Sequence, residues 1–285
     1  MKQKTLLVVF AHPDDESFGI GGTLAFYAQQ GAAVHLICAT RGEAGTVDPQ
    51  HLEGFSSIAD LRESELRCAA STLGLSGLHF LDYRDSGMQG STDNQHPNAL
   101  INQPVDIVAG RIAELIRQLK PQVVVTFDPI GGYKHPDHIH IHKATLRAFH
   151  LAGDPAFAST APPYQPTKLY YSVFPKHLMK IGVRLMPLFG QDPRRFGRNK
   201  DIDILDLVES GDFPVHARIR YRGVEISRET ATACHASQLP GSTLRRGPFA
   251  WFSRLVPPTD SFMRAYPPAE DGLREKDLFE GVQTT

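Results

Sequence analysis

The chain predicts an α/β fold, a mostly parallel sheet flanked by helices, on three observations. Short β-branched runs alternate with stretches of helical period, the rhythm of right-handed βαβ units. Two of those runs, Leu6-Leu7-Val8-Val9-Phe10 and Gln122-Val123-Val124-Val125-Thr126-Phe127, are nearly continuous in apolar residues, as strands buried on both faces are. Each is followed by a polar cluster, Ala11-His12-Pro13-Asp14-Asp15-Glu16 after the first and His135-Pro136-Asp137-His138 after the second. Ligands of open α/β sheets gather beyond the carboxyl ends of such strands.

In order, the first strand runs into His12, and Gly19 to Gln30 has helical character with Gly31 as a suitable C′ residue. Gly19, Gly21 and Gly22 lack the G-x-G-x-x-G spacing of a dinucleotide site and read as close packing. Ala33 to Thr40 is the second strand, opening into the polar loop Arg41 to Thr46. Ile58 to Leu73 is a helix, with Leu61, Leu66, Ala69, Ala70 and Leu73 at helical spacing and Gly74 as its stop. Leu78 to Leu81 is a short third strand, followed by a polar loop to about Pro104 whose length suggests a binding role. Val105 to Leu119 is the next helix, with Ile107, Val108, Ile112, Leu115, Ile116 and Leu119 on its apolar side. Pro136 suits the first turn of a helix reaching Leu151, which places His138 at its amino end. His140, His142 and His150 on that helix are read as surface or core residues. Gly153 to Pro166 is a linker and Lys168 to Val173 the fifth strand.

This divides the chain into a core, residues 1–175, and an extension, residues 176–285, that packs on it as a cap or an oligomer arm. In the extension Val224 to Gln238 is a late helix, and Gly241 to Pro268, with Phe249, Trp251, Phe252, Phe262 and Tyr266, is an aromatic tail that needs a partner surface.

Composition narrows the classes. With 30 basic and 31 acidic side chains among 285 residues, nothing in the charge argues for nucleic acid or an anionic membrane surface. No apolar run approaches the roughly 18 residues that span a bilayer, and the amino terminus lacks a signal-peptide pattern, so a cytoplasmic protein is expected. Cys38, Cys68 and Cys234 are odd in number and far apart, which argues against a disulfide framework and for reduced thiols, with Cys38 and Cys68 as small buried hydrophobes.

His12, Asp15 and His138 form a two-His-one-carboxylate set that suits Zn²⁺ with an open position, or Fe²⁺ or another divalent ion. The three converge only if their two strands are neighbours. Asp14 then sits beside a ligand but free of the metal, where a general base can take a proton from a metal-held water. His135, three residues before His138, is placed to stabilise an oxyanion or protonate a leaving amine, with Asp137 to orient it. Tyr133 offers a phenol to polarise a carbonyl. The set points to hydrolysis of an amide.

Together, Ala11-His12-Pro13-Asp14-Asp15-Glu16 and Gly132-Tyr133-Lys134-His135-Pro136-Asp137-His138 resemble the PIG-L/LmbE-like zinc deacetylase family, which removes acetyl from N-acetylglucosaminyl groups and includes mycothiol- and bacillithiol-pathway enzymes. The resemblance covers residues 4 to 175 best. It implies a Rossmann-like α/β fold with zinc on His12, Asp15 and His138, Asp14 as base, and His135 as electrostatic or acid partner held by Asp137. It further implies sugar contacts from Arg62 and Asp85, the latter in the loop Arg84 to Met88, and likens His235-Ala236-Ser237-Gln238 to a late family segment. Lys134 departs from the small residue expected there. The expected partner is therefore a small amino-sugar substrate. Two alternatives stay open, an amidase of thiol S-conjugates or other acylated small molecules at the same site, and a non-hydrolytic sugar- or nucleotide-binding module.

Overall fold

The computed structural model describes residues 3–174, 203–210, 212–239 and 258–283, together with residues 176, 180, 182, 183, 186–189 and 192–195. Phe249, Trp251 and Phe252 lie outside the described residues.

All six residues of β1 (Thr5–Phe10) are buried, which makes it an inner strand. The chain then forms α1 (Asp15–Gly19), α2 (Gly21–Gln29), β2 (Ala33–Thr40), α3 (Ile58–Leu73), β3 (Gly77–Tyr83), α4 (Val105–Leu119) and β4 (Val123–Phe127). A distorted turn, α5 (Gly131–Lys134), leads into α6 (Pro136–Leu151) and β5 (Lys168–Ser172). Beyond these lie α7 (Ile204–Glu209), β6 (Ala217–Arg220), α8 (Glu225–Cys234) and β7 (Thr259–Tyr266).

One sheet of seven strands holds them in the order β3-β2-β1-β4-β5-β7-β6. The first five are mutually parallel, and β7 runs antiparallel to both β5 and β6. The chain order reverses direction between β1 and β4, which pair through Leu6↔Val123, Leu7↔Val124 and Val8↔Val125. That reversal opens the crevice in which ligands of such sheets bind.

Hydrophobic periodicity accounts for the helices. On α4, Val108, Ile112 and Ile116 are fully buried, and each buried side chain of this size contributes about 1.5–3 kcal/mol. Ile107 is a correction to its expected place, because it turns to solvent at 58% exposure. The expected helix from Gly19 to Gln30 begins earlier and breaks at Ile20, whose φ of −132° separates α1 from α2. The loop before α4 is ordered by its own polar groups, with Asn94 donating to the carbonyls of Ser86 and Met88. Buried Arg117 on α4 donates to the carbonyls of Ala152, Asp154 and Phe157 and so pins the start of the linker.

Two expectations are corrected. Phe262, expected in an aromatic tail that needs a partner surface, is fully buried in the core, because β7 and β6 extend the core sheet. Cys68 is exposed rather than buried and forms a disulfide with Cys234, so α3 and α8 are covalently joined. Cys38 is free and buried, as expected. Among the described residues no helix is long and apolar enough to cross a membrane.

Candidate metal centre and active site

The site stands on the ends of β1 and β4. Phe10 and Phe127, the last residues of the two strands, pack with ring centroids 4.5 Å apart. Phe127 then stacks on His138 at 3.9 Å with an interplanar angle of 11°. At Gly131, φ is +66° and an added Cβ would lie 2.8 Å from the Cβ of His138 and 2.9 Å from the backbone nitrogen of Ile139. The turn can therefore press against α6 only with glycine there.

Three donors converge. His12 Nδ1 lies 3.2 Å from His138 Nε2, His138 Nε2 lies 3.2 Å from Asp15 Oδ1, and His12 Nδ1 lies 3.6 Å from Asp15 Oδ2. Ligands about 2.0–2.1 Å from a tetrahedral ion stand about 3.3–3.4 Å apart, so the set fits a small divalent cation. Both His nitrogens are buried with their rings, and the carboxylate supplies the harder donor such an ion accepts.

Neighbouring groups orient these ligands. His12 Nε2 donates to Asp137 Oδ2 at 3.1 Å and has Asp85 Oδ1 at 3.4 Å, an arrangement that places a proton on Nε2 and aims Nδ1 at Asp15 and His138. Asp137 Oδ2 is held in turn by the backbone N–H of Ser86. The expected pairing of the Asp137 carboxylate with His135 is thus corrected, because Asp137 meets His135 through its backbone N–H, which donates to His135 Nδ1 at 3.2 Å. His135 consequently carries its proton on Nε2. His138 Nδ1 has no partner among the described residues, so the Phe127 stack sets that ring.

Electrostatics separate the groups. Burial lowers a histidine, but the carboxylates of Asp85, Asp137 and Asp15 outweigh it and hold His12 well above the usual range. Burial opposes ionisation of Asp15 and Asp85 too, yet His138 and His12 beside the first, and His12 and His135 beside the second, keep both carboxyls well below the usual range. His135 is pushed well below its ordinary value by burial and by the two neighbouring imidazoles, and is neutral. Burial pushes Asp14 up to about 6, with Arg62 pulling it down and Asp15 pushing it up.

The remaining expected residues lie in the same crevice. Tyr133 stands edge-on to His135 and His138 at 5.8 and 5.0 Å, and burial keeps its phenol protonated. Buried Arg62 donates to the carbonyls of Pro13 and Gly42 and to Asp14 Oδ2 at 3.0 Å. Asp85 accepts from the Gly87 N–H, and its own N–H donates to Glu43. Both are directed at protein groups of the loops that frame the site. Lys134 pairs with Asp206 on α7 at 2.5 Å. Ser86 and Phe127 orient Asp137 and His138 through a backbone amide and a ring face and so carry no signature of residue type in the sequence.

The arrangement defines a class, an α/β protein with a buried His-Asp-His group whose spacing fits a cation at the switch point of its sheet and a further carboxylate beside it. The family is equally plain: residues 7–149 match the GlcNAc-PI de-N-acetylase (PIG-L) family, and the chain belongs to it. A 1D-myo-inositol 2-acetamido-2-deoxy-alpha-D-glucopyranoside deacetylase from Streptomyces scabiei is 35% identical over 97% of this chain and 89% of its own. Among solved structures, the N,N'-diacetylchitobiose deacetylase of Pyrococcus horikoshii aligns with a TM-score of 0.62 at 18% identity, covering 92% of this chain and 84% of its own. A 4-carboxy-2-hydroxymuconate hydratase from Pseudomonas putida aligns with a TM-score of 0.59 at 18% identity, covering 95% and 100%. The shared architecture therefore carries more than one reaction, and the activity must be argued from the site.

Proposed function

We propose that the chain is a zinc-dependent hydrolase that removes the acetyl group from an N-acetylglucosaminyl-type substrate. The observation that carries this reading is the 3.2–3.6 Å triangle of His12, His138 and Asp15, with the Asp14 carboxylate next in the chain. The name of the Streptomyces relative supports an N-acetyl amino sugar carried on an inositol as the substrate class. Asp15 and the two histidines would hold the ion, which when bound supplies a Lewis acid and brings the pKa of a water close to neutrality.

The chain's own groups do the rest. Asp14 accepts a proton as a water oxygen bonds to the acetyl carbon. The Nε2–H of His135 and the phenol of Tyr133 donate to the carbonyl oxygen as negative charge builds on it. The C–N bond then breaks, the proton held by Asp14 passes to the departing nitrogen, and acetate and a free amine leave. Arg62 and Asp85 remain the proposed contacts to the sugar, supported by the place of Arg62 on α3 beside Asp14 and of Asp85 in the loop after β3 beside His12.

Metal analysis combined with acetate release from a panel of N-acetylglucosaminides, including the inositol glycoside, tests the reading. We expect Asp15→Ala to lose bound metal, and Asp14→Asn to keep it while losing roughly 10²–10⁴ in rate, the usual worth of a positioned base. Turnover confined to thiol S-conjugates would move the substrate to the amidase alternative. Equal rates in wild type and Asp14→Asn would remove the base from the mechanism.

A further inference from the structure

Asp14 is held in a backbone conformation that aspartate seldom adopts, with φ 120° and ψ −27°. A residue kept in such a region costs on the order of 1–3 kcal/mol and persists only where its surroundings impose it. Two arms impose it. One acts on the backbone: the Asp14 N–H donates to Glu16 Oε2 at 3.0 Å, while Glu16 Oε1 accepts from Ser17 Oγ at 2.5 Å and from His235 Nε2 at 2.7 Å. Glu16, Ser17 and His235 are all fully buried. The other acts on the side chain, where Arg62 of α3 donates to Asp14 Oδ2 and to the Pro13 carbonyl.

Both arms are anchored on the same short segment at the carboxyl end of α8. His235 itself closes the first. The second is fixed because Glu65, one helical turn from Arg62, accepts from the N–H and the hydroxyl of Ser237 at 2.8 Å each, and because Cys68 on the same helix is bridged to Cys234. His235 Nδ1 has no partner among the described residues, so the bond to Glu16 is the polar contact that this ring makes there. Without it Glu16 would be a buried acceptor short of a donor, free to turn toward another one and release the Asp14 N–H.

We propose that His235 is a positioning residue for the base Asp14, acting through Glu16, and that the segment Cys234 to Ser237 is the bracket that sets where the base stands. This rests on the reading of Asp14 as the base. It gives a catalytic reason for a stretch that lies more than 80 residues beyond the end of the family match at residue 149.

The test uses the full chain and four variants, His235→Leu, which removes the donor, His235→Gln, which returns one, Asp14→Asn, and the double variant His235→Leu/Asp14→Asn. We expect His235→Leu to lower kcat about 10–100-fold with KM within about twofold, and His235→Gln to recover to within about fivefold of wild type. In the Asp14→Asn background His235→Leu should cost less than about threefold, because an effect exerted through Asp14 is lost with it. Bound metal should match wild type in both single His235 variants. Independently of activity, amide hydrogen exchange at Asp14 should quicken at least tenfold in His235→Leu and return toward wild type in His235→Gln. An equal loss in the two backgrounds, or slow Asp14 exchange in His235→Leu, would overturn the proposal and leave His235 a purely structural residue. If the wild type releases no acetate from any substrate of the panel, the deacetylase reading fails, and the positioning of Asp14 is then decided by the exchange measurement alone.

Discussion

His12 illustrates how an ordinary side chain is prepared for the ligand role proposed for it. Its Nε2 is committed to Asp137, which orients the ring and aims Nδ1 at Asp15 and His138. Carboxylates behind a metal-binding histidine typically contribute 10–100-fold in affinity. Asp137→Asn should therefore weaken metal binding by about that factor in a competition titration against a chelator, with the fold retained. An unchanged affinity would reduce Asp137 to a buried helix-start residue. Residue types alone placed His12, Asp15 and His138 in one set, because two strand ends bearing imidazole and carboxylate leave few other uses. They did not show that the Asp137 carboxylate serves His12 rather than His135, since a carboxylate two residues from one imidazole can still point at another across the crevice.

Among the elements, α3 and α8 show the greatest distance between pattern and outcome. The period of α3 was readable from Leu61, Leu66, Ala69 and Leu73, all buried against the core. That its outer face meets α8, so that Cys68 reaches Cys234 across 166 residues, was not. Cross-linking so long a loop removes unfolded-state entropy worth on the order of 2–5 kcal/mol. Reduction, or a Cys68→Ala/Cys234→Ala variant, should lower Tm measurably in calorimetry, and an identical Tm with and without reductant would show that the bridge contributes nothing to stability. At Gly131 the crowding is against backbone and Cβ atoms, so Gly131→Ala should displace α6 and disturb His138.

At the scale of the molecule, β7 ties the late part of the chain to the first helices. Asp260, at its start, accepts from both the N–H and the hydroxyl of Thr23 on α2. Burial nevertheless pushes its carboxyl up from 3.8 to about 6, with the Thr23 hydrogen bonds opposing. The folded chain thus holds this proton more tightly than the unfolded chain does. The resulting stabilisation is complete below about pH 4 and is lost as pH rises through about 6, a change of on the order of 3 kcal/mol. Asn at this position cannot titrate. The stability of wild type relative to Asp260→Asn should therefore fall between pH 4 and 7, and a difference independent of pH would place the charge in solvent.

Local pattern by itself determined the parallel core, β1 to β5 with their helices, and the two strand ends that bear the proposed metal ligands, because apolar periodicity and residue chemistry are carried by neighbours in the chain. Tertiary structure alone decided that β1 and β4 lie side by side, which brings His12 to His138. It alone also decided that β7 and β6 close the sheet, that Cys68 meets Cys234, and that His235 reaches Glu16. Each of these is a contact between distant segments whose free energy comes from a shared buried surface, and no short stretch of sequence records which other stretch will cover it.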